Sequence, residues 1–391
     1  MRKKILITIY GLLLASLLGA KDVNIGVSYG GYYSDNIFLN ASAVRDYVSQ
    51  LQADLNYSIE KFNFYLDAST GIYTENPEFN SYYIEPGIEF MHYLKKEGRS
   101  AMYLNLSYMI LNYKELYRDF NYSGPRLHAG LKLYASPQTL LKAGYLLEAR
   151  DYGNYASFDF YNQTAFVEIN RFFKSQTTLR LQTGINYRFY PHIADVFETA
   201  DDYNYYNYQS HGNMGNNGQN NQPGSSQPAL QYHTTAVPNV YGLLRAAQGI
   251  GPRTGITGEV ELRHNFRGLE DAEALIKNAY IIYPYNDNYL WDGLRLTVIL
   301  KTILFKEVSL GGRFSYYAKN YPGIYIMDEA GEVIEPVTMR EDVLLLINFD
   351  LKKEFRKFNI FANFTYRDNE SNDNYFFYKM LTLSMGIGYY F

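Results

Sequence analysis

From residue 23 onward the chain alternates between apolar and polar positions. Val23, Ile25, Val27 and Tyr29 interleave with Asn24, Gly26, Ser28 and Gly30. Leu51, Ala53, Leu55, Tyr57 and Ile59 interleave with Gln50, Gln52, Asp54, Asn56, Ser58 and Glu60. The same period returns at 127–133, 179–189, 308–316, 343–349 and 358–366. A period of two marks a strand, because successive side chains leave a pleated backbone on opposite faces. In each segment one face suits lipid and the other suits water.

The links between these segments are of two kinds, and they take turns. Short polar turns fall near Glu60-Lys61, 95–98, Ser136-Pro137, Lys174-Ser175, Gly251-Pro252, Lys306-Glu307 and Arg356-Lys357. Longer links fall near 35–43, 75–80, 114–123, 152–157, 191–237, 267–288, 321–337 and 369–374. The spacing predicts about sixteen strands, an even number, with both termini on the side of the short turns. The segment 238–250 alternates poorly, since Leu243, Leu244, Arg245, Ala246 and Ala247 follow one another. Counting it as a strand keeps the total even. Within 191–237, residues 212–227 are rich in Asn, Gln, Gly and Ser, a composition that buries no core. Three readings apply to this link: a constriction folded into the lumen, a set of tyrosines that stacks on sugars, or a plain external loop. Residues 269–277 have the composition for two turns of helix.

Parity assigns the charges to one face. With the apolar residues outward, the second to fourth strands point Asp54, Glu60, Asp67, Glu85 and Glu89 inward. The sixth to ninth point Arg126, Lys132, Lys142, Arg150, Arg180 and Arg188 inward, with Glu148 and Glu168 among them. The eleventh to thirteenth add Glu259, Glu261, Arg263, Arg295, Lys301, Arg313 and Lys319. An acidic wall facing a basic one places a transverse field across a pore, which orients polar solutes and resists apolar ones. The other reading is that these groups pair with their neighbours on adjacent strands in a filled interior.

Composition fits a barrel in a membrane better than a soluble β-sandwich or solenoid. The chain has 391 residues, a net charge of −4, 42 Tyr and 24 Phe. Mean hydropathy is −0.31, as expected where lumen-facing residues dilute lipid-facing ones. The tyrosines suit aromatic girdles at the membrane boundaries. No stretch beyond the N-terminus has the roughly 18 apolar residues a membrane helix needs. Residues 1–20 read as a secretory leader: Arg2, Lys3 and Lys4 precede an apolar run, and Gly19-Ala20 offers small residues for cleavage. The chain has no Cys, which excludes a disulfide and a lipidated N-terminal Cys. The six His are dispersed, and none forms a compact set with Ser and an acid. The pairs Glu85/Glu89 and Glu259/Glu261 share a face, as acid–base or Ca²⁺-binding carboxylates do, and lumen charges share one without either role. No glycine-rich phosphate loop or metal-ligand spacing is present. The sequence predicts no enzyme and no cofactor.

The final strand adds a resemblance. Leu381, Leu383, Met385, Ile387, Tyr389 and Phe391 share one parity, and Ser384, Gly386 and Gly388 the other. Ser384, Gly386, Tyr389 and Phe391 resemble the terminal signal of bacterial outer-membrane β-barrels. By that resemblance the barrel-assembly machinery reads this segment. Together with the leader, the alternation and the loop lengths, the whole chain looks like a porin-like outer-membrane barrel. The implied fold is an all-β, transmembrane, antiparallel up-and-down barrel in the bacterial outer membrane, with short periplasmic turns and long external loops. The implied function is a channel for small polar or charged solutes, whose pore-lining residues are Asp54, Asp67, Glu85, Glu89, Arg126, Lys132, Lys142, Arg150, Arg180, Arg188, Arg263, Arg295, Lys301 and Arg313. Its implied partners are outer-membrane lipid and that solute, with no nucleic acid. Trimers are common among porin-like proteins, so a homo-oligomer is an expectation by resemblance, although no strand face is marked as an interface. A shorter similarity, at 32–39 (Tyr-Tyr-Ser-Asp-Asn-Ile-Phe-Leu), is to barrels of exopolysaccharide or surface-lipoprotein export systems. It keeps open an export or assembly barrel. A closed structural or adhesive barrel is the third reading.

Overall fold

The computed structural model describes residues 23–37, 39, 43–94, 99–153, 156–194, 232–266, 291–305, 307–326 and 336–390. Sixteen strands run through them: β1 (Val23–Ser34), β2 (Asp46–Ile59), β3 (Phe62–Tyr73), β4 (Ser81–Tyr93), β5 (Ala101–Tyr113), β6 (Tyr122–Ser136), β7 (Thr139–Arg150), β8 (Phe160–Phe172), β9 (Thr177–Ala194), β10 (Tyr232–Gly249), β11 (Thr254–Asn265), β12 (Asp292–Ile303), β13 (Val308–Tyr325), β14 (Met339–Glu354), β15 (Phe358–Ser371) and β16 (Tyr378–Tyr390). Each pairs antiparallel with its neighbours in sequence. β1 and β16 close the ring, from Gly26 opposite Tyr390 to Ser34 opposite Thr382. Closure matters energetically, because the sheet then has no edge with unpaired N–H and C=O groups.

The poorly alternating segment is a full strand. β10 pairs along its length with β9 and β11. Its period is faint because both faces carry apolar residues: Leu243 and Ala247 on one, Leu244 and Ala246 on the other. The long link is shorter than its composition suggests, since β9 extends to Ala194 and β10 begins at Tyr232. The rest of that link, the expected helix at 269–277, the leader at 1–20 and Phe391 lie outside the described residues.

At the short-turn end the chain reverses tightly. Glu60, Gln176 and Glu307 take φ of +51°, +62° and +67°, a left-handed conformation that suits hairpins but strains a residue with a Cβ. Glu60 therefore sits in the turn between β2 and β3 and is exposed, not inward on a strand. At the opposite end four links among the described residues fold into 3₁₀ turns: Pro77–Phe79, Glu115–Phe120, Ala156–Phe158 and Asn374–Phe376.

The two faces differ sharply. Val167, Leu181, Ile185, Leu262 and Met385 are 55–71% exposed on the outside. The inner face is polar, with Asn162, Glu168, Asn186, Asn239, Glu261, Thr297 and Ser315 all buried. Between the polar groups, rings lie flat against the wall. Tyr65 is the cross-strand partner of Gly87, and Tyr103 that of Gly130. A Cβ on Gly87 would stand 2.2 Å from Tyr65 Cζ, and one on Gly130 2.1 Å from Tyr103 Cζ. Only glycine leaves room for a ring at that depth.

Candidate functional site

Contacts that skip a strand identify the concave face. Tyr65 on β3 donates its hydroxyl to Asn105 Oδ1 on β5 at 3.1 Å. Arg126 on β6 reaches Glu85 on β4 at 3.2 Å. The cross-strand register extends this face around the ring. Asp54 opposes Asp67, which opposes Glu85, and Glu89 opposes Asn63. Arg126 opposes Glu148, Lys132 opposes Lys142, and Arg150 opposes Phe160. Arg188 opposes Asn162, and Arg180 opposes Arg245. Arg263 opposes Tyr241, Arg295 opposes Glu261, Lys301 opposes Gly311 and Arg313 opposes Asn348. By register these residues share one face of the sheet with Tyr65 and Asn105. Ser384 and Gly386 are also on it, and Tyr389 points outward.

Four of these oppositions set like charges face to face, two acidic (Asp54/Asp67 and Asp67/Glu85) and two basic (Lys132/Lys142 and Arg180/Arg245), which is unfavourable unless something intervenes. For the basic pairs, Glu168 intervenes. It accepts from Lys142 Nζ at 2.8 Å and Arg180 Nη2 at 2.5 Å, with Asn170 Nδ2 donating at 2.7 Å. Glu259 holds Arg245 at 3.3 Å. Glu148 takes Arg150 at 2.7 Å and Arg126 at 3.4 Å. Glu261 takes Arg263 at 3.1 Å and Arg295 at 2.5 Å. The expected basic wall on β6–β9 is thus threaded with carboxylates, and much of its charge is neutralised locally.

A smaller charged set remains. Asp54, Asp67 and Glu89 have no cationic partner among the described residues, and Lys301 and Arg313 have no carboxylate partner. In ring order β2–β4 stand opposite β10–β12, so Lys301 on β12 lies at the edge of the facing arc and Arg313 on β13 one strand beyond it. Glu89, Lys301 and Arg313 lie toward the short-turn end of their strands, and Asp54 and Asp67 near the middle of theirs. Lys301 and Arg313 are the cationic members of this set, and Asp350 lies beside them over Gly311, the residue opposite Lys301.

The acidic side also forms a recess of about 370 Å³, lined by Asn56, Asn63, Tyr65, Asp67, Glu85, Glu89, Asn105, Arg126, His128 and Leu146. Glu89 accepts from Asn63 Nδ2 at 3.2 Å and Asn105 Nδ2 at 3.1 Å. Glu85 accepts from Ser107 Oγ at 2.6 Å and from the Tyr83 hydroxyl. Tyr103 and His128 Nε2 meet at 3.0 Å. Among the described residues no group of three or more His or acidic side chains is arranged to hold a metal.

Aromatic packing at the long-link end was not evident from the pattern. Phe79 and Tyr117 pack with centroids 4.0 Å apart at a tilt of 39°, and the series continues through Phe120 to Phe158. Phe158 meets Tyr152, and burial pushes the hydroxyls of Tyr117 and Tyr152 up from their ordinary value. Below, Arg150 stacks on Tyr122 at 4.4 Å and Arg188 on Phe160 at 4.1 Å. Across the ring, Arg340 lies between Tyr321 and Phe376, 4.2 and 3.4 Å from their centroids, and pairs with Asp342. Asn369 ties this group to the turn by donating to Phe376 O at 2.8 Å. No sequence period marks these residues, because the links bring them together.

No family model matches the chain, and no curated protein matches it. Solved structures with a similar barrel include OccAB3 of Acinetobacter baumannii, at 10% identity and a TM-score of 0.48, covering 95% of this chain and 100% of that one. OccK8 (OprE) of Pseudomonas aeruginosa aligns at 8% identity and 0.47, covering 95% and 98%. A bacterial polysaccharide outer membrane secretin aligns at 9% identity and 0.47, covering 94% and 98%. At such identities and scores, functional argument rests on this chain's own geometry.

Proposed function

We propose that the chain is an outer-membrane channel for small polar or charged solutes. The observation that carries this reading is the contrast between the two faces of a closed ring. Monomeric soluble proteins rarely expose contiguous apolar patches beyond a few hundred Å². Here apolar side chains crowd the outer face all around the barrel, as lipid requires. A ring of sixteen strands is wide enough for an aqueous path. The path is lined by ion pairs, amides and the residual charges of Asp54, Asp67, Glu89, Lys301 and Arg313. Such a lining favours polar solutes and aligns dipoles. In this reading the leader at 1–20 directs export, the terminal strand with Phe391 is read by the barrel-assembly machinery, and the short turns face the periplasm.

The test is single-channel conductance of the refolded chain in a planar bilayer, with ion selectivity measured in a salt gradient. Steady openings are expected. Asp67→Asn with Glu89→Gln should shift preference towards anions, and Lys301→Ala with Arg313→Ala towards cations. A barrel proved folded by heat-modifiable migration, yet silent, would overturn the channel reading in favour of an export or structural barrel.

A further inference from the structure

We infer that the recess beside Tyr65 is a retention site for an amino sugar, a protonated amine on a hydroxylated ring. The inference rests on the channel reading for its physiological setting, but the site is defined by its own geometry. Tyr65 starts on β3 and its hydroxyl reaches Asn105 on β5, so the ring crosses over β4. Gly87 lies directly beneath, where any Cβ would collide with the ring. One face of the ring therefore rests on backbone and the other looks into the recess. A flat aromatic face with its negative quadrupole accepts the C–H face of a pyranose and attracts a nearby cation.

The surroundings define the rest of the ligand. Asp67 on the same strand and Glu89 on β4 carry charge that no cationic side chain meets among the described residues. They are suited to an ammonium group, with which a carboxylate forms its stronger, charge-assisted bonds. Asn56 supplies an amide donor, and the Asn56 and Asn63 oxygens each keep a lone pair for ring hydroxyls, the Asn63 amide hydrogens being engaged by Asn56 and Glu89. Arg126 also lines the recess, but it pairs with Glu85 and Glu148 and is outnumbered by the lining carboxylates of Asp67, Glu85 and Glu89, so the site stays net negative. The volume, about 370 Å³, falls within the range of small-molecule sites. Its net negative charge disfavours anions, and among the described residues no three His or acidic side chains converge to hold a metal ion.

The experiment is isothermal titration of the full folded chain in detergent with protonated glucosamine, glucose and gluconate. Glucosamine should bind at least about tenfold more tightly than glucose, the weight of one charge-assisted hydrogen bond. Gluconate should bind more weakly than either. Asp67→Asn with Glu89→Gln should bring glucosamine down to the level of glucose. Tyr65→Phe, which keeps the ring, should change binding by less than threefold, whereas Tyr65→Leu should weaken both sugars about tenfold. Equal affinity for glucosamine and glucose, insensitivity to the double carboxylate change, or no binding at all overturns the site. The readout does not depend on conductance: a barrel that conducts but binds none of these ligands refutes the site alone, and one that binds glucosamine but passes no current refutes the channel alone.

Discussion

Glu168 is the position where the lumen's charge balance can be tested most directly. It is 3% exposed and accepts from Lys142 and Arg180, which come from the strands on either side. Glu168→Gln keeps the shape and removes the charge, leaving an ammonium and a guanidinium unneutralised across one strand. At about 4 Å between charge centres and an effective dielectric near 20, each attraction is roughly 4 kcal/mol before screening. The two cations are 37% and 27% exposed, so lumen water reduces each to about half that. Relief of the buried carboxylate's desolvation offsets about 1–2 kcal/mol of the total. The net expectation is a loss of about 2–3 kcal/mol. The assay is urea unfolding in phospholipid vesicles, followed by the fluorescence of Trp291. It is the chain's single tryptophan, 3% exposed, and it lies 4.8 Å from the Arg263 guanidinium. Replacing all three residues at once, as Lys142→Met, Glu168→Leu and Arg180→Met, should recover most of the loss, because no charge is then left unpaired. A Glu168→Gln chain within about 0.5 kcal/mol of the parent would refute the reasoning. So would a triple variant as unstable as the single one. In conductance, Glu168→Gln should also shift preference towards anions.

Val167, next to Glu168 but 55% exposed on the outer face, tests the membrane belt: Val167→Arg should cost roughly 2–4 kcal/mol in vesicles and leave ion selectivity unchanged. A neutral result there would argue against a lipid-facing wall. Gly87→Ala forces the Tyr65 ring off the wall, with loss of about 1–3 kcal/mol and of the Tyr65–Asn105 hydrogen bond, read as a changed amide resonance for Asn105. Unchanged stability and an unchanged resonance would show that the ring does not lie on Gly87. Phe376→Ala uncovers one side of Arg340 and should widen the path at the long-link end, read as higher single-channel conductance. Equal conductance would mean that this group does not line the narrowest section. Gln176→Gly relieves the left-handed turn and should stabilise the barrel by up to about 1 kcal/mol in the same urea assay, whereas a loss of stability would place the strain elsewhere.

The period of two in the amino-acid sequence determined that the chain is built of strands and which side chains share a face. The alternation of short and long links determined an even, up-and-down order. Both are local properties of a pleated backbone: Asp54 and Arg313 face inward because their neighbours must face outward. The same locality explains where the pattern weakened. β10 carries apolar residues on both faces, so its identity as a strand rests on hydrogen bonding to β9 and β11 and not on its own period. Glu60 kept the parity of β2 but fell in the turn, because one residue decides where a hairpin reverses.

What the tertiary structure alone decided is which charges remain. Glu168 meets Lys142 and Arg180 from two different strands. Arg126 reaches past β5 to Glu85, and Tyr65 crosses β4 to Asn105. Each contact depends on the register of successive strand pairs and on the curvature of the closed wall, which bring together residues up to about forty positions apart. Periodicity within one strand carries no information about those offsets. The sequence could therefore mark two charged walls, while only the closed ring showed that the wall on β6–β9 is largely neutralised and that Asp54, Asp67 and Glu89, like Lys301 and Arg313, are left without an ion-pair partner among the described residues.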